Sequence, residues 1–142
     1  MVKYLKFDTI KTPETTLEFR DTTDTTTVNR FSGIPDNVVS VVGDELEIAK
    51  LIAAQAKEIN VQEISKDEFQ TAVADSDQIA EINRQVKSKI ARRYDIADEI
   101  AMLKRSPTHP KRIDYESFIV ECLMYGDKLK EEIGYDLPGE DV

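Results

Sequence analysis

Residues 75–106 read DSDQIAEINRQVKSKIARRYDIADEIAMLKRS, and their spacing decides the architecture of the C-terminal half. Apolar residues recur at Ile79, Ile82, Val86, Ile90, Tyr94, Ala97 and Ala101, with Ile100 and Leu103 beside them. Steps of three or four residues place them on one side of an α-helix. No glycine or proline interrupts residues 76–106. Asp75 and Gln78 have the spacing of an N-terminal cap, so the stretch predicts one long helix. Pro107-Thr108-His109-Pro110 ends it, because proline lacks an amide donor and biases its predecessor away from helix. A second helix is expected from about Asp114 to Ile133, with Phe118, Cys122, Tyr125, Leu129 and Ile133 as its stripe. Gly134 and Pro138 stop that helix. A loop of a few residues forces antiparallel neighbours, so 75–133 predicts an antiparallel two-helix hairpin. Residues 134–142 are expected to form a disordered acidic tail.

Working outward, residues 1–74 read as a small α+β unit. Strands are expected at about 2–8, 15–19, 38–42 and 61–64, where β-branched and aromatic residues gather. Nine threonines lie between Thr9 and Thr27, a segment expected to be one or two exposed strands or a mobile loop. Ser32-Gly33-Ile34-Pro35-Asp36-Asn37 is a turn cluster ahead of Val38-Val39-Ser40-Val41-Val42, the best candidate for a buried strand. Asp44 with Glu47 has capping-box spacing and opens a helix over 44–59. Ser65 with Glu68 opens a short helix through about Val73. The fold class is therefore α+β: a β-rich N-terminal part with one or two helices, then the helical hairpin.

The chain has a formal net charge of −9, which argues against a general nucleic-acid binder, since such affinity rests on Lys and Arg. The charge is uneven: residues 84–112 sum to +6, while residues 43–83 and 113–142 each sum to −7. In an antiparallel hairpin the basic run faces the acidic second helix. Arg84, Lys87, Arg92 and Arg93 are thus expected to pair with Glu121 and Glu131, each exposed pair contributing a few tenths of a kcal/mol. The competing reading is a small regulatory or nucleic-acid-associated protein using the basic run 84–112.

Little in the sequence points to catalysis. His109 is the only histidine, lies between prolines, and has no nucleophile near it in sequence. Cys122 is the only cysteine and falls on an apolar stripe, where a free thiol behaves as a small hydrophobe. No zinc spacing, calcium loop or glycine-rich phosphate loop occurs, so no cofactor and no metal are expected. No segment has the roughly 18 apolar residues of a membrane span. The second helix, however, carries more apolar surface than one neighbour can cover. Phe118, Ile119, Leu123, Tyr125, Gly126 and Leu129 are candidate contacts with a partner or a second copy. Gly126 in mid-helix, at a cost of about 1 kcal/mol, marks a close approach of another backbone.

Two stretches carry a resemblance. Tyr94-Asp95-Ile96-Ala97-Asp98-Glu99-Ile100-Ala101-Met102-Leu103-Lys104-Arg105 leads by a short loop to Tyr115-Glu116-Ser117-Phe118-Ile119-Val120-Glu121-Cys122. This resembles a hairpin in small tail-associated proteins of tailed bacteriophages and prophages. Val61-Gln62-Glu63-Ile64-Ser65-Lys66-Asp67-Glu68-Phe69 is similar to a segment of tail-fibre assembly proteins. The resemblance spans roughly residues 61–123, and neither the threonine-rich first third nor a proline-rich linker belongs to it. It implies a non-enzymatic tail-region protein acting by protein–protein contacts, either a virion tail or fibre component or a fibre-assembly helper. Its partners would be other phage tail proteins or itself, in the virion or in host cytoplasm during assembly.

Overall fold

The computed structural model describes residues 1–21 and 24–136. In its N-terminal half β1 (Val2–Phe7), β4 (Thr27–Arg30), β5 (Val38–Val42) and β6 (Val61–Ile64) form a four-stranded antiparallel sheet in the order β4-β5-β1-β6. A separate two-stranded ribbon joins β2 (Ile10–Lys11) to β3 (Thr16–Leu17). Register pairs Leu5 with Val39 and Tyr4 with Ser40. Alternate residues therefore point to opposite faces, and both faces are covered.

One face packs on α1 (Glu45–Ala56): Leu5, Phe7, Val39 and Val41 meet Ile48 and Leu51. The other packs on α2 (Lys66–Val73): Tyr4 and Val38 meet Phe69 and Val73. Phe69 is fully buried between Tyr4, at 4.7 Å between ring centroids, and Phe31, at 5.4 Å. Burying such a ring is worth about 1.5–3 kcal/mol, so it anchors α2. Burial on both sides explains why β5 is an unbroken apolar run apart from Ser40. Asp44 and Ser65 cap α1 and α2 as their spacing predicts, although α1 ends at Ala56. The short strands β2 and β3 lie within the threonine-rich region and β4 begins at its last threonine; the composition announces extended backbone without its pairing. Thr22 and Thr23 lie outside the described residues.

The α+β class holds, but the long helix expected over 75–106 does not form as one piece. It is α3 (Asp77–Ala91) followed by α4 (Ile96–Leu103). Asp95 interrupts it: its carboxylate accepts from Asp98 N at 2.7 Å, and the Asp98 carboxylate accepts from Asp95 N at 3.1 Å. This reciprocal cap satisfies two amides that a continuous helix would otherwise use. At the other end, the cap of α3 is Ser76 rather than Asp75. α5 (Pro110–Glu132) begins one turn before Asp114. Pro110 starts this helix, because a first-turn residue needs no amide donor. His109 is a half-buried N-cap, with Nδ1 accepting from Lys111 N at 3.1 Å.

α5 runs antiparallel to α3, with Tyr125 beside Lys89 and Phe118 beside Arg93. Two sets of contacts tie this helical arm to the sheet. At the start of α3, Ser32 N donates to Gln78 Oε1 at 2.9 Å. After α5, Gly134 adopts φ 81°, and its carbonyl accepts from the buried Ser40 hydroxyl at 2.9 Å. Gln70 Nε2 donates to the Tyr135 carbonyl at 3.2 Å, and Lys66 pairs with Asp136 at 3.1 Å. Residues 134–136 are thus fixed on the sheet layer, contrary to the expected disorder. The rest of the expected tail, 137–142, lies outside the described residues.

Candidate functional site

The far end of the arm is the corner formed by α3, α4 and α5. Tyr94 meets Tyr115 edge-on at 5.0 Å and Phe118 at 5.7 Å. Arg93 stacks over Phe118 at 4.8 Å, which disperses its charge on a ring face. The Tyr115 hydroxyl donates to Glu99 Oε1 at 2.9 Å and holds α4 against α5. Burial first, and then this hydrogen bond to a carboxylate, pushes the Tyr115 phenol above its ordinary value of 10.0. Arg112 Nη1 donates to the carbonyls of Leu103 and Arg105 at 3.3 and 2.8 Å, so a cation from α5 closes the end of α4. Glu116 holds that guanidinium at 3.0 Å.

These polar contacts orient α4 so that its apolar stripe faces away from the protein. No residue of α4 is buried. Ile96 is 77% exposed, Ile100 50% and Leu103 56%. Their spacing of four and three puts them on one face. Beside them an open groove of about 660 Å³ is lined by Ile90, Ala91, Tyr94, Ile96 and Ala97, together with Lys87, Asp95 and Glu99. α5 also turns apolar residues outward: Ile113, Val120, Leu123 and Met124 are all exposed. Single exposed leucines need no explanation, but two exposed apolar stripes on adjacent helices form a candidate contact surface.

Of the six candidate contact residues, Leu123 and Tyr125 are exposed, whereas Phe118, Ile119 and Leu129 are half-buried within the arm. Gly126 is buried. A Cβ built on it would lie 2.7 Å from Val86 Cγ2. The close approach it marks is that of α3 in the same chain, so it is not open to a partner. The periodicity over 75–106 sets Ile100 and Leu103 beside the inner stripe of one long helix and gives Ile96 no place in it, so the outward stripe is hidden. The Asp95/Asp98 pair was the available signal.

The expected ion pairing across the arm is also absent. Among the described residues, no ion pair joins Arg84, Lys87, Arg92 or Arg93 to Glu121 or Glu131. Arg84 pairs with Glu81 of its own helix. Lys89 lies 4.5 Å over the Tyr125 ring. The helices are joined by rings and alkyl groups, with the cations lying on the rings. Such contacts are worth about 0.5–1 kcal/mol each at exposed sites. Much of the basic run is therefore engaged within the chain.

Cys122 is buried, and desolvation pushes its thiol up, which leaves it a poor nucleophile. Among the described residues there is no group of His, Cys, Asp and Glu side chains that could hold a metal ion. Among them, too, no helix is long and apolar enough to cross a membrane. No family model, curated protein or solved structure matches the chain. The fold and the site define an α+β protein whose helical arm ends in an outward-facing apolar helix.

Proposed function

We propose that this is a non-enzymatic tail-region protein of a bacteriophage or prophage that works through protein–protein contacts. It serves as a virion tail or fibre component or as a fibre-assembly helper, in the virion or in host cytoplasm during assembly. The arm is its docking hairpin. The observation that supports a binding role most directly is the exposed stripe Ile96, Ile100 and Leu103, held outward by the Tyr115–Glu99 and Arg112 contacts. A helix with no buried residue contributes little to stability, so its apolar content calls for a partner. The segment that resembles the tail-associated family, residues 94–105, is the one that forms α4 and its flanks.

The test is co-purification. Tagged protein is incubated with purified tail particles from the source lysate, alongside Ile100→Asp and Val120→Asp variants. We expect the wild type to sediment with tails and both variants to lose at least about tenfold in retention, since a charge placed in an apolar contact costs more than 1.4 kcal/mol. Failure of the wild type to bind any tail component rejects the tail reading.

A further inference from the structure

The turn that joins α4 to α5 gathers cations. Residues 100–113 include Lys104, Arg105, Lys111 and Arg112 and contain no Asp or Glu. Arg112 is committed to Glu116 and to the carbonyls of Leu103 and Arg105. Among the described residues no ion pair holds Lys104, Arg105 or Lys111. Of the carboxylates flanking the turn, Glu99 is held by the Tyr115 hydroxyl and Glu116 by Arg112. Asp114 makes no ion pair among the described residues.

Within this turn His109 is short of lone pairs. Its Nδ1 lies 3.1 Å from Lys111 N, and its Nε2 lies 3.3 Å from Arg105 Nη1. Both neighbours are N–H donors, and a guanidinium has no acceptor to offer. A neutral imidazole carries one lone pair and one N–H. Either tautomer therefore satisfies one contact and sets N–H against N–H at the other, and a protonated ring would do so at both. The helix cap takes the lone pair at Nδ1, which leaves Nε2–H facing the guanidinium. Arg105 Nε is also buried and has no hydrogen-bond partner, whereas buried donors are ordinarily paired. His109 and Arg105 together thus present more N–H groups than the chain supplies acceptors for.

An oxyanion would supply the acceptor. Two nitrogens 3.3 Å apart can both reach one oxygen at about 2.9 Å. We propose that His109 Nε2–H and the Arg105 guanidinium bind a phosphate-class oxyanion, either free phosphate or a phosphate ester, with Lys104 and Lys111 adding positive charge to the turn. The amide of Lys111 stays capped by Nδ1 and takes no part. Several cations around one turn favour such an anion over a single carboxylate. The inference does not rest on the tail reading, and loss of tail binding would leave it standing.

Proton NMR on the full chain tests it, because His109 is the only histidine and its ring C–H signals need no further assignment. Inorganic phosphate is titrated at one pH, with chloride holding ionic strength constant. We expect a saturable shift of the ring signals. Arg105→Gln should weaken the binding by about tenfold, because a charge-assisted hydrogen bond is lost. His109→Asn keeps a capping oxygen but removes the ring N–H, and amide signals of residues 104–112 should show about tenfold weaker binding there too. Circular dichroism checks that both variants fold. O-phosphoserine run beside inorganic phosphate separates the sources, and the tighter of the two names the ligand. Ring signals that phosphate moves no more than chloride does overturn the proposal. So does wild-type affinity in both variants, or acetate that binds as tightly as phosphate.

Discussion

Gly126 shows how one residue sets the spacing of the arm. Alanine would improve the helical propensity of α5 by about 1 kcal/mol, yet its Cβ would press on Val86, a β-branched side chain with little rotamer freedom. Overpacking of this kind costs about 1–3 kcal/mol. We expect Gly126→Ala to destabilise the protein by about 1 kcal/mol in denaturant titration, and Val86→Ala in the same background to remove the clash. A more stable Gly126→Ala protein would show that the helices are not in tight contact. Tyr115 couples stability to pH. Its phenol titrates above 10.0 in the folded chain, through burial and then through Glu99. The folded state thus holds this proton more tightly than the unfolded state. The stability it contributes is complete below about pH 10 and is lost as pH rises through the folded value. Between pH 9 and 11, thermal unfolding of the wild type should fall more steeply than that of Tyr115→Phe. Parallel pH profiles would exclude the coupling.

Among the elements, the sheet layer was legible and the arm only partly so. β5 announced itself as an apolar run, and the caps Asp44 and Ser65 were readable because an N-cap is a local interaction. β4 was not, because Thr27-Val28-Asn29-Arg30 is short and mixed in composition and is a strand only through pairing with β5. The long helix misled because side-chain period is blind to a break. Tyr94 and Ile100 keep acceptable spacing on paper while Asp95 restarts the helix between them. Reading one unbroken helix there hid the outward stripe of α4, so the fold error and the site error have one cause. α4 has eight residues and none buried, which leaves its cap as a main support. Losing a cap costs about 1 kcal/mol, so Asp95→Ala should speed amide exchange in α4 by about fivefold and leave α1 unchanged. Equal effects on both helices would mean that α4 does not open on its own.

Across the whole molecule, the two layers of the sheet body are closed, whereas the arm exposes apolar surface on both α4 and α5. The body anchors the arm at Ser32 and Ser40. The most direct measurement is hydrogen exchange at the amides of residues 96–103, first in the free protein and then with purified tail particles in excess. We expect α4 to slow by at least about tenfold on addition of tails, since docking its stripe adds more than 1.4 kcal/mol to its local stability, while α1 stays unchanged. Exchange in α4 that is the same with and without tails would contradict its proposed role as the docking helix.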